Sequence, residues 1–227
     1  MILIENVEVF NIRGAIRAMR NPLDSWDRSD SVMCKSDLFQ DCKSTCKECP
    51  RKDDKFEDDI FCVGSADLEL MHKLYVAGQP HRKYLRQIFV SMDVTAPSYF
   101  LSQLDTYKVG VTRNSCSFMH KGLSEPFTVT KFSRHFMDEH TATVWSSVVD
   151  ELNRLRELFN ETKNPNVFQE IRDLLPSGYN IKSTITCSYE NIVNMIEWRS
   201  NHRLVEWREF CETMLNELPY LQEIMGK

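Results

Sequence analysis

Glycine is scarce in this chain of 227 residues, at 7 in all, against a usual share of about 7 %. The sequence holds neither G-x-G-x-x-G nor G-x-x-x-x-G-K, so both glycine-rich phosphate cradles are excluded and any nucleotide site must come from side chains and helix ends. A basic excess is missing too: 28 Lys+Arg stand against 33 Asp+Glu, for a formal net charge of −5. Binding a nucleic-acid polymer takes clustered cations, so none is expected as a partner, while a nucleotide-sized anion stays open. No apolar run approaches the ~18 to 20 residues of a membrane span. The opening Met1-Ile2-Leu3-Ile4-Glu5-Asn6 lacks a basic region followed by a cleavage site, so a cytoplasmic protein without a membrane partner is expected. Repeats and low-complexity tracts are absent as well.

What is present suits a folded domain. Hydrophobic residues make up 42 % and aromatics 11 %, and the length predicts one domain over 1–227 with a core of its own. Alternation from Ile2 to Phe10 predicts a strand, and Ile12 to Met19 a short helix. A polar stretch from Asn21 to about Asp59 follows, and its part 31–60 reads as a Cys-rich insertion. Ser65 is expected to cap a helix that Gly78 closes in the left-handed conformation. Ile88 to Val94 reads as a strand, and Ala96-Pro97 as the opening of a helix. Residues 105–126 read as a long irregular loop, the kind that is functional or mobile. Two amphipathic helices follow, from Val144 to Phe159 and from Val167 to Leu175, the second stopped by Pro176. Lys182 to Tyr189 is a strand, and Asn191 to Leu218 is helical with a candidate break at Ser200-Asn201. The order predicts an α+β fold dominated by helix.

Three groups of residues carry chemistry. Cys34-x7-Cys42-x3-Cys46-x2-Cys49 places four of the 8 cysteines in a segment with little apolar content. Four thiolates are what a structural tetrahedral zinc needs; equally, the segment is a surface loop that bears cysteines and no metal. Cys42-x3-Cys46-x2-Cys49 also has the spacing of the cluster motif in radical S-adenosylmethionine enzymes, but the alternating βα units of those enzymes are missing. Cys62, Cys187 and Cys211 read as small apolar residues. His81-Arg82-Lys83 with Arg86 reads as a solvated basic turn. On a continuous helix Arg199, His202 and Glu206 share one apolar face, which calls for an internal salt bridge or a bound ligand. Arg172, four residues before Pro176, is a further anion candidate, since a guanidinium fork suits a monophosphate or a uracil-like edge.

Taken in order, Gly78 and His81, Ala96-Pro97, Ser102-Gln103, the loop from Thr106 to Phe118, Arg172-Asp173-Leu174-Leu175-Pro176, Asn194, Arg199, His202 and Glu206 resemble the flavin-dependent thymidylate synthases. The resemblance covers roughly residues 65 to 215, with the opening strand and helix. It implies a helix-rich homotetramer that binds FAD and deoxyuridine monophosphate (dUMP). Its reaction would carry a methylene from methylenetetrahydrofolate to C5 of the uracil and reduce it with hydride that came from NADPH. Arg199 would be the catalytic residue, a cation beside the ionised uracil ring. Gln103, Arg172, Ser115 and Ser117 would join it in binding substrate, and His81, Tyr107, Lys108, Asn194 and His202 would face the cofactor. Thr106-Tyr107-Lys108 stands where the family has Arg-His-Arg, and lysine does not reproduce a bidentate arginine contact. The substrate-phosphate arginine falls at Phe118, or at Ser117 one register away. A nucleotide-binding or regulatory module that kept the fold and lost the chemistry is the alternative expectation.

Overall fold

The computed structural model describes residues 2–34, 60–135 and 137–227. Over these the chain forms an α+β fold of two compact units, each assembled from three stretches of sequence.

The first unit comprises Met1–Glu8, Ser91–Cys187 and Met195–Thr213. Its sheet has the order β1-β4-β6-β5, with β1 Leu3–Phe10, β4 Phe89–Pro97, β5 Thr112–Ser115 and β6 Asn180–Ser188. Alternation in β4 and β6 gives the sheet a dry face and a polar one. Met92, Val94, Ala96, Ile185 and Cys187 are buried. On the polar face the Asp93 carboxylate accepts from Thr184 Oγ1 at 2.6 Å and Asn6 Nδ2 at 2.9 Å, joining three strands. β5 is antiparallel to β6, with Thr112 opposite Thr186 and Ser115 opposite Ser183.

The region 105–126 is therefore not wholly irregular. It supplies edge strand β5 and one helical turn, α4 Phe118–Lys121. The strand escapes a periodicity search because its exposed TRNS sequence has no apolar alternation, and pairing with β6 alone sets it. Asp105 ties this edge to the end of α3 Ser98–Leu104, accepting from Arg113 Nε at 2.8 Å and NH2 at 2.6 Å. Pro97 closes β4 rather than lying inside the helix.

Two capped helices complete this unit. Asp138 caps α5 Glu139–Thr162 by accepting from the Thr141 N–H, and Asn164 caps α6 Pro165–Leu174 with proline in the first turn. Between them they bury Leu152, Leu155, Val167 and Ile171 against Phe127 and Phe132. Asn153 grips the Phe127 backbone twice, accepting from its N–H at 2.7 Å and donating to its carbonyl at 2.9 Å.

The second unit comprises Val9–Val90, Ser188–Asn194 and Met214–Lys227. α1 Ile12–Arg20 and α2 Ser65–Val76 form in it, and α9 Leu221–Met225 ends the chain. Gly64, not Ser65, is the residue before the first turn of α2, and the cap comes from a distance: Asp30 accepts from the N–H groups of Ala66 at 2.8 Å and Asp67 at 3.0 Å. Gly78 follows the helix at φ 95°, as expected of a residue free to turn left-handed. Ser29-Asp30-Ser31 is thus pinned to α2 just before β2 Val32–Cys34, which pairs antiparallel with β3 Ile60–Cys62. The predicted ligands Cys42, Cys46 and Cys49 lie outside the described residues.

The C-terminal helical stretch is broken. α7 Tyr189–Arg199 ends at the expected break, and α8 Val205–Glu217 resumes after it.

Candidate functional site

Trp207 gathers four of the predicted residues. Its indole, in α8, is buried against Phe100 and Phe210, with ring centroids 4.6 Å and 5.8 Å away. Its Nε1 donates to Gln103 Oε1 at 2.9 Å, which leaves the Gln103 amide N–H groups for another acceptor. Over the indole lies the Arg199 guanidinium, 5.1 Å from the ring centroid. Arg199 Nε donates to the Tyr107 hydroxyl at 3.0 Å. Braced by two aromatic rings, the cation keeps NH1 and NH2 without a hydrogen bond among the described residues. His202 meets the indole edge-on, and its Nδ1 accepts from the Leu204 N–H at 3.1 Å. Burial and the charges of Arg199, Arg203 and Arg208 push its pKa down, so the imidazole is neutral near pH 7. In the sequence Trp207 is one residue of the helical stretch from Asn191 to Leu218, and nothing in its spacing reveals a hub.

Glu206 belongs to a different network from the one its spacing suggested. The break at α7 removes the shared face, and neither Arg199 nor His202 pairs with it. Its buried carboxylate instead accepts from Tyr99, from Ser133 Oγ at 2.8 Å and from His135 Nε2 at 3.0 Å. Burial alone would raise the Glu206 pKa, but the hydrogen bonds from Tyr99, its own backbone and Ser133 outweigh it, with the His135 charge, and leave it lowered. Tyr99 moves the other way, up to about 12, through burial and its bond to Glu206. A carboxylate whose folded pKa is depressed contributes stability that is complete above the unfolded value, ordinarily 4.5, and lost as pH falls through the folded value. Acid melts are expected to show the wild type losing stability in that window and Glu206→Gln changing less. Parallel acid limbs would assign the titration to another group.

The second cluster lines a cavity of about 550 Å³ in the same unit, bounded by Cys116, Ser117, Phe118, Lys121, Lys131 and Tyr179, with Asn180 and Lys182 from β6. Arg172 lies over the Phe118 ring, 4.8 Å from its centroid. A cation thus stands beside the position where the resemblance leads one to expect an arginine. Lys131 is engaged by Glu125 at 3.1 Å and Lys182 by Glu5 at 3.3 Å, whereas Lys121 has no ion pair among the described residues. Asn180 Oδ1 is buried and has no hydrogen-bond partner among the described residues, which makes it an acceptor that a ligand donor would satisfy. A cavity of about 510 Å³ in the second unit carries Glu69 and Glu223, the wrong sign for a phosphate.

Neither a protein-family model nor a curated protein matches the sequence. Solved structures do. A crystal structure of thymidylate synthase X from Helicobacter pylori, with FAD and dUMP at 2.31 Å resolution, superposes with a TM-score of 0.66 at 17 % identity, over 99 % of this chain and 96 % of that one. A second structure of the flavin-dependent enzyme from Helicobacter pylori, also with FAD and dUMP, gives 0.66 and 17 %, over 97 % of each chain. The fold is that of the flavin-dependent thymidylate synthases.

Within this flavin-dependent thymidylate synthase fold the remaining predicted residues are spread out. His81 is exposed in the turn after Gly78, where its N–H donates to the Gly78 carbonyl at 2.9 Å. Arg82 beside it is not solvated as expected. It is 9 % exposed, donates to Glu190 Oε1 at 3.2 Å and Asn194 Oδ1 at 3.1 Å, and lies over Tyr75. The other Glu190 oxygen is buried without a partner among the described residues. Lys108 and Ser115 are exposed and line neither cluster. Cys34 is the only predicted cysteine ligand among the described residues, and no group of three or more metal-ligating side chains gathers among them.

Proposed function

We propose that this chain is a flavin-dependent thymidylate synthase-like enzyme that converts dUMP to dTMP, or alkylates a related pyrimidine nucleotide, with methylenetetrahydrofolate as carbon donor and NADPH as reductant. The observation that carries the reading is Arg199, held over Trp207 by Tyr107 with NH1 and NH2 left to donate. A fixed guanidinium of this kind stabilises negative charge developing on a uracil ring, and holding it in advance lowers the barrier without a covalent nucleophile. Gln103, oriented by Trp207, offers amide donors to the nucleotide. Ser117, Lys121 and Arg172 supply hydroxyl and cationic groups for a phosphate in place of the missing signature arginine, with Ser115 on the strand beside them. Asn180 Oδ1 accepts from a sugar hydroxyl.

The residues also fit FAD. In the second unit the Glu190 oxygen left without a partner among the described residues, beside Arg82 and Asn194, suits the hydroxyl donors of a ribityl or ribose chain, with His81 as a further proposed cofactor contact of that unit; in the first unit the proposed cofactor contacts are Tyr107, Lys108 and His202. FAD, when bound, supplies the hydride. Neutral His202 adds no charge there, while Arg199 provides the fixed positive one. Exposed Trp198 and Val109, at 79 % and 88 %, favour burial between subunits, in keeping with a homotetramer. The protein is read as cytoplasmic.

Loss of the Arg-His-Arg triad to Thr106-Tyr107-Lys108 favours a second reading, a nucleotide-binding module without turnover. One experiment separates them. FAD titration followed by visible absorption, with tritium release from C5-labelled dUMP, is expected to show flavin binding and release. Flavin binding and dUMP binding by calorimetry without release would select the module, and no flavin binding would remove the flavin chemistry.

A further inference from the structure

Helix α1, IRGAIRAMR, carries no carboxylate, and it sets Arg13, Arg17 and Arg20 four and three residues apart, on one face. Like charges at that spacing repel, and Arg13 also stands in the first turn, where the helix dipole is positive. Arg20 is answered by Asp67 at 2.6 Å. Arg13 and Arg17 are exposed and have no ion pair among the described residues, in a chain whose formal net charge is −5. Two cations left together in an acidic protein call for an anion from outside it.

Both guanidinium groups border a cavity of about 190 Å³ in the second unit, together with Arg20, Trp26, Ser29, Ser31 and Phe61. Among the described residues no carboxylate lines it. Its walls are set in advance, because buried Asp67 holds Arg20 and the hydroxyls of Ser29 and Ser31 at 2.6 Å each. Trp26 is 53 % exposed, yet its Nε1 donates to Asn21 Oδ1 at 2.7 Å, so the indole is pinned while open to solvent. Its backbone is tied on both sides, by the Ser25 N–H to the Arg20 carbonyl at 3.3 Å and the Ser29 N–H to the Trp26 carbonyl at 3.1 Å. A guanidinium fork matches phosphate oxygens, and an open indole face stacks on a planar ring. The volume is below the ~300–1,000 Å³ that encloses a whole small molecule, which suits a phosphate inside and a ring at the mouth.

We propose that this cavity binds a nucleoside monophosphate group, free or as the end of a dinucleotide. Arg13 and Arg17 hold the phosphate, and the base stacks on Trp26. None of these residues belongs to the contacts proposed for dUMP or FAD, so the site stands apart from the proposed function. Nothing in the sequence order points to it, because Trp26 follows α1 in a polar stretch and Phe61 arrives from β3, 35 positions later.

The test titrates the full chain with adenosine monophosphate, followed by calorimetry and by tryptophan fluorescence. Binding is expected to quench emission, and Trp26→Phe to lose the quenching while still binding. Arg13→Ala and Arg17→Ala should each weaken binding about tenfold or more, and Trp26→Ala by about tenfold, with Lys83→Ala as the unchanged control. All three side chains are exposed, so their truncation leaves the core intact. Inorganic phosphate alone should bind about tenfold more weakly than the nucleotide, since it gains no stacking. Comparison with 2′,5′-ADP separates the sources: tighter binding of 2′,5′-ADP marks the phosphoadenosine end of a reductant such as NADPH, and equal binding a free mononucleotide. Either supports the site, and so does nucleotide binding here in a chain that releases no tritium from C5-labelled dUMP, a result that removes only the proposed chemistry. Unchanged fluorescence at millimolar nucleotide, an affinity indifferent to both arginine variants, or phosphate binding as tightly as the nucleotide would each overturn the assignment.

Discussion

Arg199→Ala is expected to lower kcat/KM for dUMP by about 100- to 1000-fold, the range seen when one preorganised donor to a developing anion is removed. The effect is large because the guanidinium is held in advance, by the Tyr107 hydroxyl at Nε and by the Trp207 face. Arg199→Lys should recover little, since an ammonium on a flexible stem cannot both donate to Tyr107 and present a planar pair of N–H groups. Tyr107→Phe removes only the brace and is expected to cost about tenfold, a smaller loss that separates positioning from direct charge stabilisation. Tritium release measures all three, and circular dichroism checks that the half-buried Arg199 side chain can be truncated without unfolding the chain. Unchanged turnover in Arg199→Ala would remove the residue from the mechanism, and with it the observation on which the proposed function rests.

Asp67→Ala is expected to destabilise the protein by about 3–5 kcal/mol, the usual cost of removing one partner from a buried ion pair. Asp67 is fully buried and accepts from Arg20 Nε at 2.6 Å, from the hydroxyls of Ser29 and Ser31 at 2.6 Å each, and from the Ser31 N–H at 3.2 Å. Among the described residues truncation leaves Arg20, itself 5 % exposed, without a counter-charge and with only the Ser25 carbonyl at 3.2 Å. The damage should spread to the root of the ribbon, because the serines that lose their acceptor flank Asp30, the distant cap of α2. Urea denaturation monitors the loss. Arg20→Met combined with Asp67→Leu should recover much of it, since an apolar pair of similar volume carries no desolvation penalty. A loss below about 1 kcal/mol in the single variant would show that the pair is not a keystone of this unit.

Much of the architecture was legible because it depends on local signals. The β4 and β6 strands were readable as short apolar runs, α5 and α6 from amphipathic spacing, and the Gly78 turn from the one residue type that is at ease at positive φ. The break at Ser200-Asn201 was also visible in the residues. Elements that depend on a partner were not: β5 is a strand only because β6 pairs with it, and α2 takes its cap from Asp30, 35 positions before Ser65. Arg82 looked like part of a solvated basic turn because the charge that buries it, Glu190, is 108 positions away.

The candidate site divides the same way. Spacing drew attention to Arg199 and His202, the resemblance to the flavin-dependent thymidylate synthases added Gln103 and Tyr107, and the absence of glycine-rich cradles already required side chains to do the binding. Only the tertiary structure supplied Trp207 as their common support, sent Glu206 to Tyr99, Ser133 and His135, brought Arg172 over Phe118, and set Cys62 beside Cys34. The physical reason is range. Propensity, capping and periodicity act within a few residues along the chain. Burial, charge pairing and ring contacts act across a few ångströms of space, between residues whose separation in sequence carries no sign of it.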